Sequence, residues 1–233
     1  MLSPAARLML AIDTSTELAG IAVGDGERAA EVVWPAGRAQ TTSVLAEVDA
    51  MLARCGRSIE DVGAVAVAIG PGTFTGLRVG LSVAKGLVLA RDVAVIGVPT
   101  LQVTAMPYLD AGVGVLAVLP AGRGRVVSAV FQPGAPAASP MNLAFAEFTE
   151  LASASGLLVV GELSGEQRAT LRGMGVSVAR ASASVPRPSM LVDLAWVRWE
   201  TGDIDDPATL EPLYVHGVQA TSRPVVDTLR RSR

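Results

Sequence analysis

The segment from Val62 to Ala90 places the strongest constraint on how this chain can fold. Its first part, VGAVAVAI at 62–69, is apolar at both odd and even positions, which is typical of a strand covered on both faces of a sheet. A Gly-Pro-Gly turn follows at 70–72, and the apolar spacing then changes to that of a helix. A doubly covered strand followed by a helix predicts a layered α/β fold.

Strand and helix patterns also alternate before and after this segment. Three short strand patterns open the chain, and the turn residues between them predict antiparallel pairing: LMLAID at 8–13, LAGIAV at 18–23 and AAEVVW at 29–34. A helix is predicted over Gln40–Arg54 and a strand over 93–98. We therefore predict an N-terminal half over residues 1–109, in which a mixed sheet is flanked by helices.

The second half, residues 110–233, repeats these patterns less regularly. Strand patterns at 115–120 and 126–131 flank the turn AGRGR and predict a hairpin, and residues 133–140, rich in Pro, Ala and Ser, predict a surface loop. Further strands are expected at 157–160 and 176–179, with helices near 144–154, 165–172 and 189–201. This predicts a smaller mixed sheet with its own flanking helices.

Composition excludes several classes of protein. The chain is 50% apolar and 18% charged, which argues against disorder and favours burial of some apolar surface against another chain. No apolar stretch reaches the roughly 18 residues needed to cross a bilayer, and the start lacks a cleavable signal pattern, so we expect a mature cytoplasmic protein. Cys55, the only cysteine, excludes an internal disulfide and a cysteine-cluster metal site. A net charge of −3 indicates no general attraction to nucleic acid phosphates.

The helix after the Gly-Pro-Gly turn is unusually rich in glycine. Each of Gly76, Gly80 and Gly86 costs about 1 kcal/mol relative to alanine in a helix interior, so packing must compensate. Gly76, Gly80 and Ala84 recur every four residues and form a smooth stripe, which packs either on the chain's own sheet or against a partner helix. The segment is not a Walker loop, because its spacing differs and Lys85 lies about two and a half turns into the helix.

Two loops are candidates for chemistry. Asp13-Thr14-Ser15-Thr16 resembles the first phosphate loop of the actin, Hsp70 and sugar-kinase superfamily, in which an early Asp helps to place magnesium; otherwise these residues satisfy turn amides. Gly70-Pro71-Gly72 follows the buried strand, at a position where ligands of α/β sheets often bind. Alternatively, these residues form only a tight turn, and Thr73 or Thr75 caps the helix that follows. We treat seven residues as turn residues or vestigial phosphate loops: Asp13, Thr14, Ser15, Gly70, Pro71, Gly72 and Thr73.

Four segments carry a family resemblance and occur in order along nearly the whole chain: LAIDTSTELAGIAV, AIGPGTFTGLRVGLSVAKGLVLA, IGVPTL and LEPLYV. Together they resemble the TsaB family, the dimerisation subunits of the bacterial complex that makes N6-threonylcarbamoyladenosine next to the anticodon of tRNA. The resemblance implies two actin-like halves and pairing with the catalytic paralogue TsaD. It also implies that the ATPase TsaE joins and that tRNA binds through the complex. The chain departs from the family's usual pattern at Gln40, at Pro120 and in the tail YVHG.

The resemblance further implies that the helices over Gln40–Arg54 and Gly76–Ala90 supply the pairing surface. The implied role is non-catalytic, with ATP and metal belonging to the partner subunits. The single histidine, His216, agrees with this, because the catalytic paralogue holds its metal through paired histidines. A homodimer through the same surface is expected when the partner is absent. The competing hypothesis is an actin-like ATPase or small-molecule kinase that uses the Asp13 loop. The predicted interface residues are Val44, Val48, Met51, Gly76, Leu77, Gly80, Val83, Ala84 and Leu87.

Overall fold

A computed structural model of the chain describes residues 8–35 and 40–215. The chain divides into two compact units, one drawn from Met1–Val103 and Pro186–Leu213 and the other from Thr104–Val185 and Tyr214–Arg233. The predicted α/β class, with two mixed sheets and flanking helices, is confirmed. The division differs from the predicted split after residue 109, because the chain returns to the first unit at Pro186. Within the described ranges no helix combines the length and apolarity that a membrane span requires.

The first unit is built on five strands: β1 (Leu8–Asp13), β2 (Leu18–Gly24), β3 (Ala29–Pro35), β4 (Val62–Gly70) and β5 (Ala94–Pro99). They form one sheet in the order β3-β2-β1-β4-β5. The antiparallel pairing of β1 with β2 and of β2 with β3 is confirmed, whereas β4 and β5 run parallel to β1. All six residues of β1 are buried, as befits a strand covered on both faces.

Two helices of the first unit cover one face of this sheet. The apolar sides of α1 (Gln40–Arg54) and α2 (Phe74–Arg91) pack on the face of β1 that carries Leu8, Leu10 and Ile12. Gly56 follows α1 with a φ of 65°, a conformation that favours glycine after the end of a helix. A third helix, α3 (Thr100–Leu109), follows β5 directly.

The second unit contains a smaller mixed sheet. Its strands are β6 (Val115–Pro120), β7 (Arg125–Phe131), β8 (Met141–Ala144) and β9 (Leu158–Gly161), in the order β8-β7-β6-β9. The predicted β6–β7 hairpin is confirmed, and β9 runs parallel to β6. The helices α4 (Phe145–Ser155) and α5 (Gly165–Gly173) follow the predictions. The predicted strand at 176–179 is wrong as a full strand, because only Val178 forms a bridge, to Val159.

A final helix, α6 (Pro188–Glu200), covers the opposite face of the first sheet, where Leu191 and Val192 pack with Met9 and Ala11. Beyond this helix the chain runs beside the edge strand β5, and the amide of Asp205 donates to the carbonyl oxygen of Val95 at 2.9 Å. The sequence predicts this helix within the second half, because its residues lie between 110 and 233. Periodicity identifies an apolar face but not the sheet that it covers.

Candidate functional site

The β1–β2 loop and the β4–α2 turn, which the sequence singled out separately, form one junction. β1 and β4 are neighbouring parallel strands, so their carboxyl ends lie at the same edge of the sheet. The amide of Thr73 donates to the carbonyl oxygen of Ser15 at 2.7 Å. The hydroxyl of Thr14 donates to the carbonyl oxygen of Gly76, also at 2.7 Å. The β1–β2 loop is thereby fixed to the first turn of α2.

The glycines of this junction are explained by how closely the two segments approach. A Cβ atom added at Gly72 would lie 2.2 Å from the carbonyl oxygen of Ser15, and one at Gly76 would lie 1.9 Å from that of Thr14. At Gly80 the nearest atom to such a Cβ would be the Thr14 hydroxyl oxygen, at 2.4 Å. The stripe spaced every four residues therefore faces the chain's own β1–β2 loop.

The turn residues contribute to the same close packing. Gly70 has a φ of 109°, a conformation that side chains rarely adopt, and Pro71 is buried after a cis peptide bond. Thr73 occupies the predicted N-cap position of α2, but its side chain makes no capping hydrogen bond. Contact with the β1–β2 loop, rather than a local cap, therefore fixes the start of the helix.

Asp13 is the buried acidic group of the junction, with only 3% of its surface exposed. Its Oδ1 atom accepts hydrogen bonds from the Ser15 amide at 2.9 Å and the Ser15 hydroxyl at 2.6 Å. Its Oδ2 atom has no hydrogen-bond partner among the described residues. Burial raises the pKa of Asp13, and the two bonds from Ser15 only partly oppose this shift. The environment therefore favours the neutral carboxyl group relative to an exposed aspartate.

The predicted interface residues are mostly covered by the chain itself. Leu87 is half-buried, whereas eight others are buried: Val44, Val48, Met51, Gly76, Leu77, Gly80, Val83 and Ala84. Seven of the nine are apolar residues other than glycine, and apolar character also marks the side of a helix that packs on its own sheet. A buried side chain presents no surface to a partner, so the use of these residues for pairing stays a prediction.

The side of α2 that faces solvent is a different one. It carries Arg78, Ser82, Gly86 and Leu89, of which Leu89 is 75% exposed. A Cβ atom added at Gly86 would meet no atom of the described residues within 4 Å. Leu45 on α1 is 47% exposed, so the outer surface of the two helices also contains large apolar side chains. We call Ser82, Gly86 and Leu89 the outer stripe of α2.

The junction and the outer stripe can be compared with known proteins. A family model described as TsaD: tRNA N6-adenosine threonylcarbamoyltransferase matches residues 35–195. The chain belongs to this family. The match includes α1, the β4–α2 turn and α2, but it begins after the β1–β2 loop.

Relatives within this family carry a more specific name. The tRNA threonylcarbamoyladenosine biosynthesis protein TsaB of Escherichia coli K12 is 38% identical over 128 residues, which are 53% of this chain and 54% of the relative. The protein of the same name from Haemophilus influenzae is 39% identical over 98 residues, which are 42% of this chain and 41% of the relative. The chain thus spans about half the length of the curated relatives it matches. The predicted TsaB resemblance is confirmed.

A solved structure extends the likeness to most of the fold. YeaZ from Pseudomonas aeruginosa superposes with a TM-score of 0.74 and 26% identity, covering 89% of this chain and 99% of that one. Two features of this family member were not predicted from the sequence. The outer stripe of α2 faces solvent, and the β1–β2 loop contacts Gly76. A signal for the first was available in Gly86, a helix-interior glycine outside the stripe of Gly76, Gly80 and Ala84.

Within the described ranges, no group of three or more His, Cys, Asp and Glu side chains is placed to hold a metal ion. His216, the single histidine of the sequence, lies outside the described residues.

Proposed function

We propose that this chain is a non-catalytic scaffold subunit required for N6-threonylcarbamoyladenosine modification of tRNA next to the anticodon, and that it pairs with and activates the catalytic paralogue TsaD. TsaE joins the complex, tRNA is bound through it, and ATP and metal are held by the partner subunits in the cytoplasm. The family match and the names of the two TsaB relatives support this assignment. The outer stripe of α2 is the structural observation that carries it.

Gly86 is central to this argument. A glycine inside a helix costs about 1 kcal/mol relative to alanine, and the contacts that explain Gly76 and Gly80 have no counterpart at Gly86, which is exposed. Ser82 lies one helical turn before Gly86, and Leu89 lies nearly one turn after it. The outer stripe therefore has no side chain at its centre and an apolar side chain at its end. Such a surface lets a partner helix approach closely, and we propose that TsaD occupies it.

The closed junction supports a non-catalytic role. Hydroxyl groups and amides that could approach a phosphate are engaged within the chain, because Thr14 donates to Gly76 and Ser15 donates to Asp13. The competing function, an actin-like ATPase or small-molecule kinase, needs Asp13 to reach a magnesium ion. The Oδ2 atom of Asp13, which has no hydrogen-bond partner among the described residues, is the observation that favours this alternative, but Asp13 is almost wholly buried.

The pairing is tested with Gly86→Arg in co-purification with TsaD from the same organism. Space around Gly86 leaves the fold intact, and the long side chain holds the helices apart, so we expect at least a tenfold loss of recovered complex. Ala154→Arg, at an exposed position of α4 in the second unit, is the matched control and retains pairing. Full recovery of complex with Gly86→Arg would overturn the assigned surface, and failure of the unsubstituted chain to support tRNA modification with TsaD and TsaE would overturn the function.

The alternative is tested by calorimetry of the isolated chain with ATP and magnesium. A scaffold gives weak or no heat of binding. Micromolar affinity that is lost in Asp13→Ala would establish the ATPase or kinase function instead.

A further inference from the structure

The charges of the chain are divided unequally between its two units. Residues 1–103 and 186–213, which supply the first unit, contain ten Lys or Arg and sixteen Asp or Glu, whereas the remaining residues contain nine and six. The first unit is therefore acidic, whereas the described residues of the second unit, 104–185 and 214–215, contain five Arg and five Asp or Glu and carry no net charge. A polyanion is repelled by the first unit and meets no such net repulsion from the described part of the second.

The arginines of the two units also differ in their partners. In the first unit Arg57, Arg91, Arg187 and Arg198 each form an ion pair with a carboxylate. In the second unit, none of the arginines that the structure describes has a carboxylate of the described residues within ion-pairing distance: Arg123, Arg125, Arg168, Arg172 and Arg180. Their positive charge is not neutralised by a carboxylate of the described residues.

Two of these arginines donate hydrogen bonds to the short segment 178–180, and a third, Arg180, belongs to it. Arg168 is only 9% exposed and donates from Nη1 to the carbonyl oxygen of Ala179 at 2.7 Å and from Nη2 to that of Gly161 at 2.9 Å. Arg172, one turn further along α5, donates from Nη2 to the carbonyl oxygen of Val178 at 3.4 Å. Arg180 ends the segment. Arg172 and Arg180 are exposed.

The buried member of this arginine cluster, Arg168, acts differently from the other two. Its guanidinium is surrounded by backbone carbonyl oxygens, and burial lowers the pKa of Arg168, with the charge of Arg172 adding to the shift. An arginine remains charged in proteins even so. Arg168 is thus a positioning residue, which fixes segment 178–180 and adds positive potential beneath the exposed pair. Glu162 and Glu166 are the nearest acidic residues along the chain.

We propose that the face of the second unit carrying Arg172 and Arg180 binds the phosphate backbone of the tRNA. The identity of this polyanion rests on the proposed function, whereas the site rests on the arginine cluster. Guanidinium groups donate two parallel hydrogen bonds to a phosphate, and neutralising phosphates releases counterions, which makes such binding dependent on salt.

The test measures tRNA binding to the complex of the full chain with TsaD and TsaE, by fluorescence anisotropy at several salt concentrations. The double variant Arg172→Ala with Arg180→Ala should bind roughly tenfold more weakly at low salt. The slope of log affinity against log salt should fall by about 1.4 to 1.8, because each lost phosphate contact removes about 0.7 to 0.9. Arg28→Ala, at an exposed position of the β2–β3 turn in the first unit, is the control and should match the unsubstituted chain.

Two further measurements separate the possible failures. Thermal unfolding of the double variant checks that it remains folded. If the complex forms and modifies tRNA, but the double variant binds with unchanged affinity and salt slope, this inference is wrong and the proposed function stands. If no complex forms, the proposed function is wrong, and the same titration on the full chain alone decides the inference by the same criterion.

Discussion

The hydroxyl of Thr14 donates a 2.7 Å hydrogen bond to the carbonyl oxygen of Gly76, which lies 62 residues further along the chain. This bond joins the loop after the first strand to the first turn of α2, and the Thr73 amide adds a second bond, to Ser15. Because the two segments are in backbone contact, the glycines on that side of α2 have a structural reason within the chain. The outer stripe on the other side of the helix faces solvent.

The close contact at Gly76 predicts a loss of stability on adding one methyl group. Gly76→Ala places a Cβ atom 1.9 Å from the carbonyl oxygen of Thr14, so the loop or the helix must move. We expect the free energy of unfolding to fall by about 1–3 kcal/mol, as for other overpacked sites. Urea denaturation measures the change.

Gly86→Ala is the matched control in the same helix. Its added Cβ atom meets no atom of the described residues within 4 Å, so we expect a gain of roughly 0.5–1 kcal/mol from the higher helix propensity of alanine. Equal effects of the two substitutions would contradict the packing that we describe.

Burial of Asp13 predicts a specific pH dependence of stability. The pKa of Asp13 is raised in the folded chain, so the fold favours the neutral carboxyl group. The contribution of this neutral group to stability is fully present below the unfolded pKa of about 3.9 and is lost as pH rises through the folded pKa. Asp13→Asn is neutral throughout, so its stability relative to the unsubstituted chain should increase as pH rises from about 4. Urea denaturation over a pH series measures this difference.

Asp49→Asn, at an exposed position of α1, corrects that comparison for the general effect of removing one negative charge. If Asp13→Asn loses stability relative to the unsubstituted chain as pH rises, the carboxylate is stabilised by the fold and our description of its environment is wrong.

The environment of Glu31 predicts the opposite pH dependence of stability. Burial tends to raise the pKa of Glu31, but hydrogen bonds from Ser189 and Arg187 outweigh it and the pKa lies below its usual value. Its carboxylate accepts from the Ser189 amide at 3.0 Å and from Nε of Arg187 at 2.8 Å, and so fastens the start of α6 to β3. Glu31→Gln should lower the unfolding free energy by about 1 kcal/mol at neutral pH.

This difference should vanish as pH falls through the folded pKa of Glu31, because the contribution of a lowered carboxyl pKa is present only above the unfolded value of about 4.3. Denaturation at pH 7 and at pH 3 measures it, with Glu27→Gln, exposed in the β2–β3 turn, as control. A loss of the same size at both pH values would show that charge plays no part.

The outer stripe of α2 predicts that the isolated chain associates with itself. Leu89 and Leu45 leave apolar surface in water when no partner is present, and a second copy can cover it. Size-exclusion chromatography with light scattering should give a dimer for the unsubstituted chain and a monomer for Gly86→Arg. A monomer in both cases would show that a homodimer does not use this surface.

Much of the secondary structure could be predicted because its signals are local. Strand alternation and turn residues placed the three antiparallel strands and the β6–β7 hairpin, and helix periodicity placed α1, α2 and α5. The prediction of a strand at 176–179 was wrong for a tertiary reason: its residues have strand character, but the segment forms only a single bridge, between Val178 and Val159. Sheet pairing depends on a second segment that local sequence does not identify.

By itself the sequence determined the α/β class, the positions of most elements and the spacing of the glycines along α2. Only the tertiary structure decided which side of that helix is covered, because a period of 3.6 residues relates residues to one another but not to their surroundings. The contact of Thr14 with Gly76 and Gly80 turns one stripe inward and leaves Gly86 outside. The return of α6 to the first sheet was decided in the same way, by packing between distant segments.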